Sequence, residues 1–240
     1  MSLFNRMKAL TQILKNRRLF GIVWVFASLN IIIGTWVIYI PYVREKLAID
    51  DGQLGIALFF LSLGTLTMIP FAARIVARFG AGKTSAAGIA IFALLFTLPL
   101  SSDSFEGLCL TLFLAGLGAS LTDISMNALV SEVEKSENVA FMSAAHGFFS
   151  LGGVLGAGIG SLVIIYFKIP VYHMLFTAAG VILTNFLLAP AYVGVKSSHH
   201  KVSVDKVSWK HFRPLIGLAI IAFIIMGSEG AIEHWSKLFM

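Results

Sequence analysis

The stretch FMSAAHGFFSLGGVLGAGIGSLVIIYF, from Phe141 to Phe167, contains no lysine, arginine, aspartate or glutamate. It exceeds the ~20 apolar residues that a helix needs to cross a bilayer core of ~30 Å. Its apolar character is nearly continuous, whereas a strand of a membrane barrel alternates between apolar and polar residues. The stretch therefore predicts a transmembrane helix.

Six further runs have this character, and charged residues separate them. An open sheet would leave its edge groups without hydrogen bonds in lipid, so strands are a poor alternative. We expect an all-α membrane protein. The seven runs are Leu19–Tyr42, Gln53–Ala72, Thr84–Leu100, Gly107–Val130, Phe141–Phe167, Val171–Gly194 and Pro214–Met240.

Composition excludes the common soluble classes. Of the 240 residues, 58% are hydrophobic and 12% charged, and the mean hydropathy is +0.88; a soluble domain has about 25% charged residues. The net charge of +6 is spread over several loops, which argues against a nucleic-acid partner. The single cysteine, Cys109, lies in an apolar run, and no metal cluster or nucleophile with a base is evident. We expect no enzyme, metal or cofactor.

Positive charge predicts the orientation, since short cytoplasmic loops retain lysine and arginine. Fourteen of the eighteen such residues lie before the first run or in the loops that share its side. The amino terminus is therefore predicted to be cytoplasmic.

The chain divides into four predicted segments. Residues 1–18 form a basic cytoplasmic tail, 19–194 a six-helix transmembrane bundle, 195–213 a polar cytoplasmic linker, and 214–240 a seventh transmembrane helix. Six spans, a linker and one further span are expected of a twelve-helix protein that stops early in its second half. We therefore expect a truncated chain with an incomplete second bundle.

Ionisable residues inside membrane spans are costly and mark functional sites by default. Asp123 in the fourth run and His146 in the fifth are equally distant from the loop around Lys135, so an antiparallel hairpin places them at one depth. Helical spacing adds Asn127 to the Asp123 face and Ser150 to the His146 face. In the seventh run, Glu229 lies about 24 Å from Arg213 along the helix. For Asp123 and Glu229, a role in locking helices together is as well supported as one in transport.

Small and polar residues mark two further features. Gly152, Gly156 and Gly160 recur at every fourth position, which lets helix backbones approach closely. Plain packing and packing that also permits sliding both fit this pattern. In the first run, Asn30, Trp36 and Tyr39 offer polar and aromatic groups that a sugar-sized solute needs.

Four stretches resemble the amino-terminal half and seventh helix of the major facilitator superfamily, and specifically its bacterial YbjJ-like inner-membrane branch, which is related to fucose permeases. They are GTWVIYIP from Gly34, DISMN from Asp123 with Glu132, HGFFSLGG from His146 and EGAIEHW from Glu229. Arg78 and Gly80 match the family's loop between helices two and three, while Ala77 replaces its acidic residue. Tyr39 and His234 stand where the branch typically has arginine and aspartate, and Ala157 breaks the Gly-Pro pair of drug antiporters.

The resemblance implies a secondary transporter of the inner membrane that moves a small polar solute, such as a sugar, by alternating access. Asp123, His146 and Glu229 are its candidates for proton coupling, and Asn30, Trp36, Tyr39 and Asn127 for solute binding. Arg78, Gly80 and the glycine row are candidates for conformational roles. The expected partners are lipid, solute, protons and a separate chain supplying the missing helices. Drug or metabolite efflux, and a truncated protein without transport, are the alternatives.

Overall fold

The computed structural model describes residue 11, residues 13–195 and positions 216–217, 220–221, 223–225, 227–228 and 232. No strand occurs in this part of the chain, and the prediction of an all-helical protein is confirmed. Two compact units are present, Met1–Ser197 and Ser198–Met240. The described positions of the second unit are helical. Most of the seventh predicted span, including Glu229, lies outside the described residues, and the four-segment division stays a prediction.

Eight α-helices of the first unit have both ends within its described residues, and residues 11 and 13–15 are helical as well. The eight helices are α1 (Arg17–Val37), α2 (Ile40–Leu47), α3 (Asp51–Phe79), α4 (Ala81–Leu95), α5 (Leu98–Ser101), α6 (Phe105–Glu137), α7 (Met142–Val163) and α8 (Pro170–Leu188). Short 3-10 turns, Ile164–Tyr166 and Ala189–Ala191, extend α7 and α8. Among the described residues, six helical spans are long and apolar enough to cross a membrane, with α4 and α5 together forming one of them.

Polar caps fix where the membrane helices begin and end. Asn16 accepts hydrogen bonds from the first backbone amides of α1, and Asp50 forms a capping box with Gln53 at the start of α3. Asn138 ends α6 in the left-handed conformation. Gly80 joins α3 directly to α4 with a φ of 86°, which a residue with a side chain rarely adopts.

The first predicted span is interrupted, which the apolar run does not reveal. The helix α1 ends at Val37, and α2 begins at Ile40 with Pro41 in its first turn. Proline is common in the first turn of a helix, because the N–H that it lacks would have no partner there and its φ is already helical. The break falls beside Tyr39, whose side chain is turned into the bundle.

Glycines allow the helices of the bundle to pack closely. The pairs α1–α7 and α3–α6 make the most extensive contacts. Gly152 and Gly156 lie against the backbone carbonyls of Ala27 and Ile31 so tightly that a Cβ on either would collide with them. The helix α1 is accordingly the most buried of the six spans, while α3 and α7 are mostly exposed on the surface of the bundle.

Candidate functional site

Asp123 and His146 lie on adjacent antiparallel helices, α6 and α7, and both are exposed on the surface of the first unit. They are close enough for their charges to interact, although no ion pair within 4 Å joins them. Asn127 and Ser150 lie one helical turn farther along on α6 and α7. We call these four residues the Asp123–His146 face.

Each ionisable residue receives a hydrogen bond from its own helix, and the one on α6 orients the Asp123 carboxylate. The Asn127 Nδ2 donates to the carboxylate Oδ1 of Asp123 at 3.1 Å and to its backbone carbonyl at 2.9 Å. The Ser150 hydroxyl donates to the backbone carbonyl of His146 at 3.3 Å. The face therefore offers a carboxylate, an imidazole and two uncharged polar groups.

The His146 ring packs against an apolar aromatic neighbour. Its centroid lies 5.5 Å from that of Phe26 on α1, and the two rings are nearly perpendicular. Phe26 is fully buried, so the side chain against which the imidazole packs is itself enclosed by the bundle.

Lipid is a poor neighbour for this face. A carboxylate at the centre of a bilayer costs at least about 2.5 kcal/mol, and such groups normally face protein or a water-filled cavity. Apart from Ser143 and Ser161, the rest of the exposed surface of α7 is apolar and includes Leu151, Val154 and Leu162. The Asp123–His146 face can bind and exchange protons or accept hydrogen-bonding solutes only where water or a second helical unit covers it.

The other predicted solute residues lie inside the bundle. Trp36 is fully buried and packs edge-on against Phe96, with ring centroids 5.9 Å apart. Asn30 is buried and donates from Nδ2 to the Phe149 carbonyl at 3.1 Å, which links α1 to α7. Neither side chain lies on the Asp123–His146 face. Their solute-binding role stays a prediction, and the packing supplies each of them with a structural partner.

Tyr39 has a partner that sequence reasoning missed. Its hydroxyl and Nδ1 of His173 on α8 lie 2.8 Å apart and share a hydrogen bond. His173 is buried and stacks on Phe167, with ring centroids 4.8 Å apart. A histidine within an apolar run is the signal that singled out His146, and the same signal applies to His173.

Glycines of the predicted row all face neighbouring helices. A Cβ on Gly160 would lie 2.8 Å from Ile38, while Gly152 and Gly156 contact the α1 backbone as described above. Gly34 on α1 packs just as closely against α7, because an added Cβ would lie 2.6 Å from the Gly153 carbonyl oxygen. In this conformation the glycine row is the line along which α7 packs closely against its neighbours. A role of the row in letting the helices slide past each other stays a prediction.

Arg78 and Gly80 lie at the junction of α3 and α4 and are not part of the Asp123–His146 face. The Arg78 guanidinium sits over the ring of Phe79 at 5.4 Å, and both residues are exposed. Close by in the chain, Gly82 packs against the Tyr192 carbonyl, where a Cβ would approach to 2.5 Å. Burial raises the pKa of the Tyr192 phenol above its ordinary value, so this side chain stays neutral.

Ion pairs connect helix ends at both sides of the bundle. Arg18 pairs with Glu137 at 2.6 Å, joining α1 to the end of α6. On the other side, Arg44 pairs with Asp51 at 3.0 Å and Lys46 with Asp103 at 2.9 Å. Within the described residues there is no cluster of three potential metal ligands, and Cys109 is buried as a free thiol.

Comparison with known proteins agrees with this architecture. The family model described as the Major Facilitator Superfamily matches residues 7–240. An uncharacterized transporter, y4wD, of Sinorhizobium fredii is 30% identical over 233 residues, covering 92% of this chain and 58% of that protein. An uncharacterized MFS-type transporter of Yersinia pestis is 24% identical and covers 86% and 53%, respectively. The multidrug resistance protein MdtH of Proteus mirabilis is 27% identical and covers 83% and 52%.

The chain spans about half the length of these curated relatives. The match with the family model extends over nearly all of the chain and therefore includes the six spans and the Asp123–His146 face. The chain is a multi-pass membrane protein and belongs to the major facilitator superfamily.

Proposed function

We propose that this chain supplies one helical bundle of a secondary transporter that couples the movement of a small polar organic solute to protons. The observation that carries the proposal is the Asp123–His146 face, which exposes ionisable side chains within apolar spans. A transporter of this kind binds its solute near the bilayer midplane, between two bundles that expose the site alternately to each side.

Asp123 and His146 are the proposed proton-coupling groups of the bundle. Asn127 is proposed as a solute contact, because its side chain is partly exposed and its amide oxygen remains able to accept a hydrogen bond. Glu229 is retained as a third coupling group on the strength of its position in the seventh predicted span. Asn30, Trp36 and Tyr39 would reach a solute only if the contacts of α1 with α7 and α8 rearranged during transport.

A sugar is the proposed solute, and a YbjJ-like protein related to fucose permeases is the proposed branch. The sequence patterns around Gly34 and His146 support this assignment. The positive charge of the tail and loops supports a cytoplasmic amino terminus in the inner membrane. Since the relatives are about twice as long, we propose that further helices, in the same product or in a separate chain, cover the Asp123–His146 face.

Efflux of drugs or metabolites is the second candidate. It is favoured by the relative from Proteus mirabilis, whose name is multidrug resistance protein. An exposed carboxylate such as Asp123 suits an organic cation as well as a proton. Efflux predicts that cells producing the protein resist apolar cations, whereas sugar import predicts no such resistance.

The test is uptake of labelled sugars into vesicles under an imposed proton gradient. The vesicles contain either the chain or the chain continued through whatever reading frame follows it in its gene. We expect gradient-dependent uptake in at least one of the two preparations. In that preparation, Asp123→Asn removes the uptake because an amide does not bind and release a proton at physiological pH.

The matched control is Asp103→Asn, a carboxylate outside the spans whose contact is an ion pair with Lys46. This variant is expected to retain uptake. Unchanged uptake and proton flux in correctly inserted Asp123→Asn would contradict the coupling role. Absence of uptake from both wild-type preparations would reject sugar import and leave efflux or a protein without transport of its own.

A further inference from the structure

A groove on the outer surface of the first unit runs between α1, α7 and α8. It has a volume of about 330 Å³ and an almost entirely apolar wall. It is open to the surroundings along Gly180, where an added Cβ would meet nothing within 4 Å. Its lining includes Trp24, Ile159, Phe167, Phe176, Gly180 and Thr184.

The indole and hydroxyl groups of the groove wall are already paired with protein groups. The indole N–H of Trp24 donates to the Thr184 hydroxyl at 2.9 Å, and that hydroxyl donates to the Gly180 carbonyl at 2.8 Å. Thr177 donates to the carbonyl of His173 at 3.0 Å. An almost entirely apolar wall binds hydrocarbon better than a polar solute, because a polar solute would lose most of its hydration there without compensation.

The length of the groove matches one lipid leaflet. From His173 to Thr184 its wall follows eleven residues of α8, or about 16 Å at 1.5 Å per residue. The hydrocarbon core of a bilayer is about 30 Å thick, so one leaflet is about 15 Å. A single acyl chain therefore has the right length to fill the groove.

Cationic side chains lie at one end of the groove. Arg17 donates from Nη2 to the carbonyl of Leu187 at 2.8 Å, one turn beyond Thr184. This carbonyl is neutral and does not compensate the charge of Arg17, whereas the next residue, Arg18, is paired with Glu137. Lys15 is also exposed at this end. A guanidinium has five N–H donors, so Arg17 keeps donors for a phosphate group.

We propose that the groove and Arg17 together form a binding site for one anionic phospholipid. An acyl chain occupies the apolar groove, and the headgroup phosphate binds Arg17 at its charged end. Basic sites between transmembrane helices bind anionic lipid headgroups in this manner. The proposal does not depend on the transport function, since it requires only that the unit is embedded in a bilayer.

The test is a titration of the full, delipidated chain in detergent with phosphatidylglycerol or phosphatidylcholine, followed by native mass spectrometry. We expect phosphatidylglycerol to bind more tightly. Replacing Arg17 by glutamine is expected to weaken phosphatidylglycerol binding about fivefold, the effect of one cation near a headgroup, and to leave phosphatidylcholine unchanged. Arg74→Gln, which removes an exposed charge from α3, is the control and should bind as the wild type does.

A second variant tests the acyl-chain part of the site. An added Cβ at Gly180 meets nothing within 4 Å, so we expect Gly180→Leu to fold, to occupy part of the open groove and to weaken binding of both lipids at least tenfold. Gly158→Leu is the matched control, because it also enters open space but does not line the groove. Equal affinities of the wild type for both lipids would overturn the headgroup assignment. Unchanged binding by folded Gly180→Leu would overturn the groove.

Discussion

Two histidines within membrane spans, His146 and His173, have opposite surroundings. His173 is 4% exposed, shares a hydrogen bond with Tyr39 and stacks on Phe167. His146 is exposed, touches Phe26 at one edge and lies within electrostatic range of Asp123. Polarity inside a span therefore does not by itself identify a functional site. A polar group that has a buried partner holds the bundle together, and an exposed one without such a partner is available for chemistry.

Asparagines show the same division. Asn185 is buried on α8 and donates to the Ser28 hydroxyl on α1 at 2.8 Å. Asn127 is partly exposed and bonds to Asp123 of its own helix. The first asparagine connects two helices, whereas the second orients a carboxylate on the surface of the unit.

Stability should fall most when a side chain is added where α7 packs against α1, and hardly at all where α7 faces open space. Gly156→Leu forces a side chain against the backbone of Ile31, which cannot move aside without separating α1 from α7. We expect a loss of about 3 kcal/mol or more in the free energy of unfolding, at the upper end of overpacking effects. Unfolding in detergent, followed by circular dichroism, measures it.

The control for that variant is Gly158→Leu on the same helix, where a side chain meets nothing within 4 Å. It should unfold within about 0.5 kcal/mol of the wild type, as exposed substitutions usually do. Equal losses in both variants would show that the glycine row is not the contact that holds α1 to α7.

The next effect compares the two histidines directly. We expect His173→Ala to lower the free energy of unfolding by about 2 to 3 kcal/mol, because it leaves the Tyr39 hydroxyl buried without a partner. We expect His146→Ala to change it by less than about 0.5 kcal/mol. If the two variants lost similar stability, the division between structural and available histidines would be wrong.

The smallest effect measures the Tyr39–His173 hydrogen bond by itself. A double-mutant cycle with Tyr39→Phe and His173→Ala should give a coupling free energy of about 0.6 to 1.7 kcal/mol, the range known for hydrogen bonds between membrane helices. Tyr42→Phe serves as the control, since Tyr42 is exposed and its change should be additive with that of His173. A cycle without coupling would mean that the contact at 2.8 Å contributes nothing to stability.

Hydropathy predicted that the spans exist but not where their helices end. The fourth run was predicted to end at Val130, yet α6 continues to Glu137, because Glu132, Glu134 and Glu137 lie beyond the apolar segment but remain good helix formers. The Glu134 carboxylate then accepts hydrogen bonds from the backbone amides at the start of α7. Local capping, which hydropathy does not measure, decides these boundaries.

Sequence gives the depth of a residue along a helix but not the rotation of the helix about its axis. Even the depth depends on where the helices end: the common depth predicted for Asp123 and His146 assumed a loop around Lys135, whereas Asp123 lies 14 residues before the end of α6 and His146 four residues after the start of α7. That Trp36 and Tyr39 turn into the bundle follows from close packing of α1 against α4, α7 and α8, which no single run reveals. The glycine spacing indicated a seam on α7, while its partner helix is known only from the fold.

Accessibility to water tests most directly whether the Asp123–His146 face is the functional surface. In a chain with Cys109→Ala, single cysteines replace Ser150 on that face or Ser28, which is fully buried on α1. A membrane-impermeant thiol reagent is then added to each side of membranes that contain the protein. We predict that Ser150→Cys reacts from at least one aqueous side and that Ser28→Cys does not react from either. No labelling of Ser150→Cys from either side, or equal labelling of both variants, would contradict a water-lined site at this face.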